Sequence, residues 1–154
     1  MKRLTTCESL SVSYCIARSI SLKWAGENNK PSHPPSSIVT MHTNFLTHGV
    51  RLPFHHFLRY MLSNFKCVPA QLSMIVWHAM IGIYILWKLR NLHGPTFQQF
   101  QFCYQLMANP NPNQGPPIKC WYYVHTWPKL SPLIVQKKSF GGSWKKSWFF
   151  ASGD

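Results

Sequence analysis

The segment that most constrains this fold is MIVWHAMIGIYILW, Met74 to Trp87, which is apolar on almost every side. A helix of that kind has to be covered by the rest of the protein or by lipid. The run spans only 14 residues and includes His78, whereas a bilayer-spanning helix needs ~18–20 apolar residues. We therefore expect a buried central helix over residues 74–92, with membrane insertion as the alternative. Ser73 is its expected cap and Gly94 its expected stop.

Two amphipathic helices are predicted on either side of this segment. Apolar residues before it recur at the spacing of one stripe on a 3.6-residue helix, which predicts a helix over residues 54–66. A similar stripe after it predicts a third helix over residues 97–107, where Thr96 and Gln99 fit a capping box. The stripes comprise Phe54, Phe57, Leu58, Met61, Leu62 and Phe65 in the first helix, and Phe97, Phe100, Cys103, Tyr104 and Met107 in the third.

Beyond a Pro- and Asn-rich loop, the chain changes to short aromatic or β-branched runs bounded by Pro and Gly, which are typical of strands. These runs predict strands over about residues 120–126, 132–136 and 144–151. Helices followed by strands indicate an α+β fold, in which an N-terminal helical part precedes a small antiparallel sheet.

The first 48 residues show no comparable pattern. Their basic start is interrupted by Glu8 and Arg18, so no apolar core of a secretory signal forms, and we expect an intracellular protein of the nucleus or cytoplasm. Asn28 to Ser37, NNKPSHPPSS, has the composition of a linker. We predict that residues 1–48 form a disordered leader and that residues 49–154 form the folded domain.

The charge balance excludes several classes of function. The chain has 16 Lys and Arg but only 3 acidic residues, Glu8, Glu27 and Asp154, so residues 28–153 contain no carboxylate side chain. Carboxylate acid–base pairs, carboxylate metal cages and two-metal strand-transfer centres all require Asp or Glu. We therefore predict that the chain is not an enzyme and uses no cofactor. Its basic excess favours contact with a polyanion, and the candidates are RNA, DNA and anionic lipid, although a decayed reading frame with no partner has the same composition.

Several short blocks also carry a family resemblance through their order and spacing. They are Pro53-Phe54-His55-His56-Phe57, Val68-Pro69-Ala70-Gln71-Leu72, Trp77 with Gly82, Tyr104-Gln105-Leu106 with Asn109-Pro110, Trp121-Tyr122-Tyr123, and Trp144-Lys145 through Phe149-Phe150. The stretch from Gly49 to about Ala151 thereby resembles the gypsy-type transposon domain of plants, a retrotransposon-derived, transposase-like family. It departs from that family at Met74-Ile75, His78 and Lys146-Ser147, so we interpret it as a truncated, divergent copy. The resemblance implies a mobile-element origin and brings no catalytic residues.

Near the end of the chain, VQKKSFGGSWKKSWFF (residues 135–150, the Lys/Trp segment) interleaves lysines with aromatic rings. Lysines can neutralise phosphates while exposed rings stack on bases, as in proteins that bind single strands. The segment also fits a strand pair with inward rings and solvated lysines, which we favour because aromatic residues are more often buried. The candidate nucleic-acid contacts are Lys137, Lys138, Trp144, Lys145, Lys146 and Trp148.

The histidines and cysteines show no metal-site spacing. His55, His56 and His78 do not stand at the tight paired spacing of zinc sites, and the five cysteines include no CxxC pair. Cys67 and Cys103 lie near predicted apolar faces, where an inert buried thiol is usual. We therefore assign no metal-binding, cofactor-binding or catalytic residue.

These observations favour one function and leave two alternatives open. The favoured function is a non-catalytic domain of mobile-element origin that acts as a binding or assembly module. The first alternative is a basic, Gag-like nucleic-acid-binding protein that uses the Lys/Trp segment as its contact surface. The second is a small membrane-associated protein that uses the helix over residues 74–87.

Overall fold

A computed structural model of the protein describes residues 6–25, 36–109, 121–127 and 148–153. In chain order its elements are α1 (Cys7–Ser13), β1 (Ser21–Trp24), β2 (Val39–His42), α2 (Thr43–Thr47), α3 (His56–Phe65), a 3₁₀ turn (Pro69–Gln71), α4 (Met74–Leu89), α5 (Phe97–Cys103), β3 (Tyr104–Asn109), β4 (Trp121–Thr126) and β5 (Trp148–Ser152). Helices and antiparallel strands are combined in one fold, so the α+β prediction is confirmed.

The strands form two antiparallel sheets. In the first sheet β5 lies between β1 and β2, and Phe149 of β5 stands opposite Met41 of β2. In the second sheet β3 pairs with β4 along its whole length. β5 is followed by Gly153 at a φ of 120°, where an added Cβ would collide with the carbonyl oxygen of Ser19. Only glycine fits this close approach of two backbones.

The helix α4 forms the centre of the core, as its composition predicts. Trp77 and Ile83 on its first turns are fully buried. The ring of Trp77 packs against Phe45 of α2, with centroids 5.1 Å apart, and against Phe54, with centroids 5.7 Å apart. The C-terminal end of α4 leaves this core, since Leu89 is 74% exposed. The buried residues of the helix therefore all lie in its part up to Ile83.

The two ends of α4 differ from the sequence prediction. Ser73 stands at the N-cap position, but its hydroxyl makes no capping hydrogen bond. The helix ends at Leu89 rather than at residue 92, because Asn91 adopts a left-handed φ of 55°. Gly94 is therefore not the stop. Among the described residues, no helix combines the length and the apolar character needed to cross a membrane.

The helix predicted over residues 54–66 is confirmed as α3, within two residues at its start. His55 caps it, because its Nδ1 accepts a hydrogen bond of 3.3 Å from the amide of Phe57. Lys66, with a left-handed φ of 53°, ends it. Its buried residues come from the predicted stripe and are Phe57, Leu58 and Met61.

The third predicted helix, over residues 97–107, is wrong beyond Cys103. α5 ends there, and residues 104–109 are extended in β3. Phe100 is buried from the helix and Tyr104 from the strand, so the apolar positions read as one stripe belong to two elements. Residues 104–109 pair with the backbone of β4. If they had continued as helix, the backbone groups of β4 would have lost these partners.

Several local predictions agree with the structure. In the predicted capping box, Thr96 N donates to Gln99 Oε1 at 2.8 Å and Gln99 N donates to Thr96 Oγ1 at 3.2 Å. The strand predicted over residues 120–126 is β4, and the C-terminal part of the one predicted over residues 144–151 is β5. The strand predicted over residues 132–136 lies outside the described residues.

The prediction of a disordered leader over residues 1–48 is wrong for residues 6–25 and 36–48. β1 and β2 are the partners of β5 in the first sheet, and Leu10 and Phe45 are fully buried. Each of the two strands has only four residues, and their partner stands at the far end of the chain. A pattern so short and so dependent on a distant partner is not visible locally.

Substitution of Phe45 tests whether the N-terminal segment belongs to the core. Phe45→Ala removes a fully buried ring that packs on Trp77, so we expect the free energy of unfolding to fall by about 3–5 kcal/mol. Urea denaturation measures this change. The control Val12→Ala, at a side chain that is 80% exposed on α1, should change it by less than about 0.5 kcal/mol. Equal denaturation midpoints for Phe45→Ala and the natural chain would contradict this packing.

Candidate nucleic-acid interface

Cationic and aromatic side chains of α3 and α4 meet at the surface in a cluster that we call the Tyr84 patch. It consists of His55, His56, Arg59, Tyr84 and Lys88. The Tyr84 hydroxyl lies 3.2 Å from His55 Nε2, and the Tyr84 ring centroid lies 4.7 Å from that of His55. Lys88 Nζ lies 5.6 Å from the centroid of the Tyr84 ring. Four of its members are exposed, namely His55, His56, Arg59 and Lys88.

Ordinary helix packing brings this patch together. On the buried side of α3, the ring of Phe57 stacks on Tyr84, with centroids 5.1 Å apart and an interplanar angle of 22°. His55 is fixed in place as the cap of α3. Tyr84 and Lys88 are four residues apart on α4 and therefore lie on one face of that helix. The patch thus depends on the same contacts that pack α3 against α4.

The hydrogen bonds of His55 hold its imidazole neutral. Its Nδ1 accepts a hydrogen bond from the Phe57 amide, so Nε2 carries the ring proton and donates a hydrogen bond to the Tyr84 hydroxyl. Desolvation, and then the neighbouring charges of His56, Lys88 and Arg59, lower the pKa of His55 below its usual value. At neutral pH the permanent positive charge of the patch is therefore carried by Arg59 and Lys88.

No carboxylate side chain from residues 28–153 can offset these charges, since that range contains none. Among the described residues, the sole acidic side chain is Glu8 of α1. Fixed positive charge without local compensation attracts polyanions. A ring flanked by cations is also the combination that proteins use to bind single-stranded nucleic acid, because the cations meet phosphates while the ring stacks on a base.

Of the six predicted nucleic-acid contacts, Trp148 alone lies in the described part of the chain. It is half-buried in β5, where its ring meets that of Phe150 edge to face at 5.4 Å. Its carbonyl oxygen accepts a hydrogen bond of 3.5 Å from the amide of Ala25. The other predicted contacts, Lys137, Lys138, Trp144, Lys145 and Lys146, lie outside the described residues, so the Lys/Trp segment stays a prediction.

Sequence reasoning missed the Tyr84 patch. Its members come from the outer face of one predicted helix and from a second helix whose composition is apolar nearly throughout. The signal that was present is the pair Tyr84 and Lys88, whose hydroxyl and ammonium groups mark the side of α4 that leaves the core. That signal becomes specific only when the packing places His55 beside Tyr84.

The described histidines and cysteines do not assemble a metal centre. The rings of His48 and His78 lie 5.0 Å apart, but no group of three His, Cys, Asp or Glu side chains comes together within the described ranges. Burial raises the pKa of the Cys67 thiol to about 12 and also raises the pKa of Cys103. Both thiols therefore stay protonated at neutral pH, which makes them poor nucleophiles.

Comparisons with known proteins identify no relative of this chain. It matches no model of a protein family, and searches of curated proteins and of solved structures give no significant match. The resemblance to the plant gypsy-type transposon domain therefore stays a prediction. The fold and the Tyr84 patch are described from this chain alone.

Two histidines make stability depend on pH. Burial, and then the neighbouring His48, lower the pKa of His78, and the pKa of His55 is lowered as well. Below the usual histidine pKa of about 6.5, the unfolded chain therefore binds more protons at these sites than the folded protein does. Their contribution to stability is complete above that value and is lost as the pH falls toward the lowered pKa values.

We therefore expect the melting temperature to be lower at pH 5.5 than at pH 7.5, with most of the fall due to His78, the more buried of the two histidines. Thermal melting followed by circular dichroism measures it. His78→Gln should show a smaller fall because it lacks one titrating group. The control His93→Gln, at an exposed histidine beyond α4, should keep the full fall. A melting temperature that stays constant or rises on acidification would count against these shifts.

Proposed function

We propose that this chain is a non-catalytic domain of mobile-element origin that binds single-stranded nucleic acid through a surface that includes the Tyr84 patch. One observation carries the proposal: Lys88 stands over the half-buried ring of Tyr84, and Arg59 acts on the His55 ring that contacts it, in a part of the chain that has no carboxylate. The cations neutralise phosphates, and the part of the Tyr84 ring that Phe57 leaves uncovered provides aromatic surface for an unpaired base. The Lys/Trp segment adds further lysines and aromatic rings to the chain's potential contacts.

A single strand fits this patch better than a duplex. The Tyr84 ring of α4 packs against Phe57 of α3, so the patch lies along the contact between two helices and is not the face of a single helix that could enter a major groove. Duplex bases are stacked on each other, whereas the bases of a single strand are free to stack on a protein ring. Exposed cations next to one ring therefore match a flexible strand whose phosphates and bases can adjust separately.

The non-catalytic part of the proposal rests on the chemistry that the chain lacks. Metal-dependent strand transfer needs acidic residues to hold its cations, and residues 28–153 contain none. The described thiols with raised pKa, at Cys7, Cys67 and Cys103, are held in the unreactive protonated form. The resemblance to the transposon domain likewise implies no catalytic residue. The chain is therefore proposed to bind nucleic acid without cleaving or joining it.

The salt dependence of binding tests the nucleic-acid proposal. Association of the purified full chain with a labelled single-stranded oligonucleotide should weaken as salt rises, with a slope of about −0.7 in log K against log salt for each phosphate contacted. Removal of two patch charges in Arg59→Gln/Lys88→Gln should lower affinity and reduce the steepness of the slope by about 1.4. Fluorescence anisotropy across a salt series measures both quantities.

The matched control is Arg18→Gln/Lys23→Gln, which removes two exposed charges near the start of the chain. It changes the net charge by the same amount, so any larger effect of the patch variant reports position rather than total charge. Binding that does not weaken with salt would rule out phosphate contact. Equal affinities for the patch variant and the control would remove the Tyr84 patch from the interface.

A strand-transfer assay tests the non-catalytic part. With Mg²⁺ or Mn²⁺ and a donor and target DNA, the full chain should produce no joined product, because no carboxylate cage is available in residues 28–153. Gel analysis of labelled donor DNA measures the product. A joined product that depends on the added metal and disappears with a chelator would show that the chain is an enzyme.

A further inference from the structure

A second surface feature lies at the other end of α3 from the Tyr84 patch. It is a cleft of about 430 Å³ between α3, α5 and the two-stranded sheet. We call it the amide–aromatic cleft, because it is lined by the rings of Phe65, Phe97 and Trp127 and by the side-chain amides of Asn64, Gln101 and Gln105. None of the described side chains that line it is charged, which sets it apart from the Tyr84 patch.

Internal contacts hold the walls of the cleft in place. The indole Nε1 of Trp127 donates a hydrogen bond of 2.9 Å to the carbonyl oxygen of Gln101. The rings of Phe65 and Phe97 meet edge to face, with centroids 5.3 Å apart. Asn64 Nδ2 donates a hydrogen bond of 2.8 Å to a backbone carbonyl oxygen of α3, which orients its amide. The cleft is therefore largely formed before a ligand enters, as small-ligand sites usually are.

We infer that this cleft binds one nucleobase of the single strand that the proposed function assigns to this chain. Side-chain amides present a donor and an acceptor together, which is the pattern found on the edges of bases. Aromatic walls supply faces for stacking. Because the described lining is neutral, contacts in the cleft distinguish one base from another, while the cations of the Tyr84 patch hold the phosphates without regard to sequence.

The outer face of α3 connects the two sites. Arg59 and Asn64 are both exposed on this helix, and five residues of helix separate them by about 7.5 Å along the axis and by about 140° around it, so they stand at the two edges of its exposed face. Between them the hydroxyl of Tyr60 accepts a hydrogen bond of 3.2 Å from the amide of Phe97, which joins this face to the start of α5. A strand of a few nucleotides can therefore cross the exposed face of α3 diagonally, with phosphates at the Arg59 edge and a base in the cleft at the Asn64 edge. This continuity favours a nucleobase over a sugar ring, the other ligand that suits amides and aromatic walls.

Homopolymer binding tests the inference with the full chain. Oligomers of U, A, C and G, together with oligo-dT to separate RNA from DNA, are titrated at one salt concentration. The natural chain should prefer one base by at least about 10-fold, within the range that stacking and base-edge contacts provide. Gln101→Ala/Gln105→Ala, which removes two exposed side-chain amides, should reduce that preference to less than about 3-fold and leave the salt slope unchanged. Arg59→Gln/Lys88→Gln should reduce the salt slope and leave the base preference unchanged.

A second readout separates the inference from the proposed function. Nucleoside monophosphates are titrated into ¹⁵N-labelled protein while the indole N–H signal of Trp127 is followed, with methyl glucoside as the comparison ligand. A shift with a nucleotide and not with the glucoside supports the base site, even where no homopolymer binds and the proposed function fails. Homopolymer binding with a preference that Gln101→Ala/Gln105→Ala leaves unchanged overturns the base site while the function stands. A shift with the glucoside alone, or the absence of any binding, also overturns it.

Discussion

The position of β5 between β1 and β2 joins the two ends of the described chain. With a neighbour on each side, Phe149 in β5 is completely buried. The strand β2 leads directly into α2, so the sheet also delivers Phe45 to its contact with Trp77 in α4. Arg51 reinforces the arrangement. Its guanidinium lies 5.7 Å from the ring centroid of Tyr14, just after α1. The same group donates hydrogen bonds to the carbonyl oxygens of Leu46 in α2 and of Val50 just after α2. The position of α4, and with it the Tyr84 patch, therefore depends on pairing between distant parts of the sequence.

This dependence explains which parts of the fold could be predicted. α3, α4 and the Thr96–Gln99 capping box arise from contacts within a few residues, so spacing in the sequence was enough to locate them. β1 and β2 are four-residue strands whose stability comes from β5, and an isolated segment of that length carries little pattern. The strand β3 was predicted as helix because Phe97, Phe100 and Tyr104 satisfy a helical spacing, although the last of these begins a strand paired with β4.

Prediction of the candidate site from the sequence met the same limit, because local spacing does not show which distant residues meet at the surface. The Lys/Trp segment was found because its charges and rings are contiguous, whereas the Tyr84 patch is assembled from two helices. Trp148 illustrates why contiguity is a weak guide, since β5 places it half-buried against Phe150 rather than on an open surface. Exposed His55, His56 and Arg59 appear in the sequence only as the polar face of a helix. The packing of Phe57 on Tyr84 then turns that face into one side of a cationic and aromatic surface.

His55 links the charge of this surface to the stability of the helix that carries it. A proton added to the imidazole has to enter at Nδ1, the atom that now accepts the Phe57 amide and caps α3. Protonation would therefore add a positive charge beside Arg59 and Lys88 and at the same time remove the cap. Acid strengthens the attraction between the patch and a phosphate but weakens the start of α3, so affinity and local stability respond to pH in opposite directions. At neutral pH the cap is intact, and phosphate attraction rests on Arg59 and Lys88.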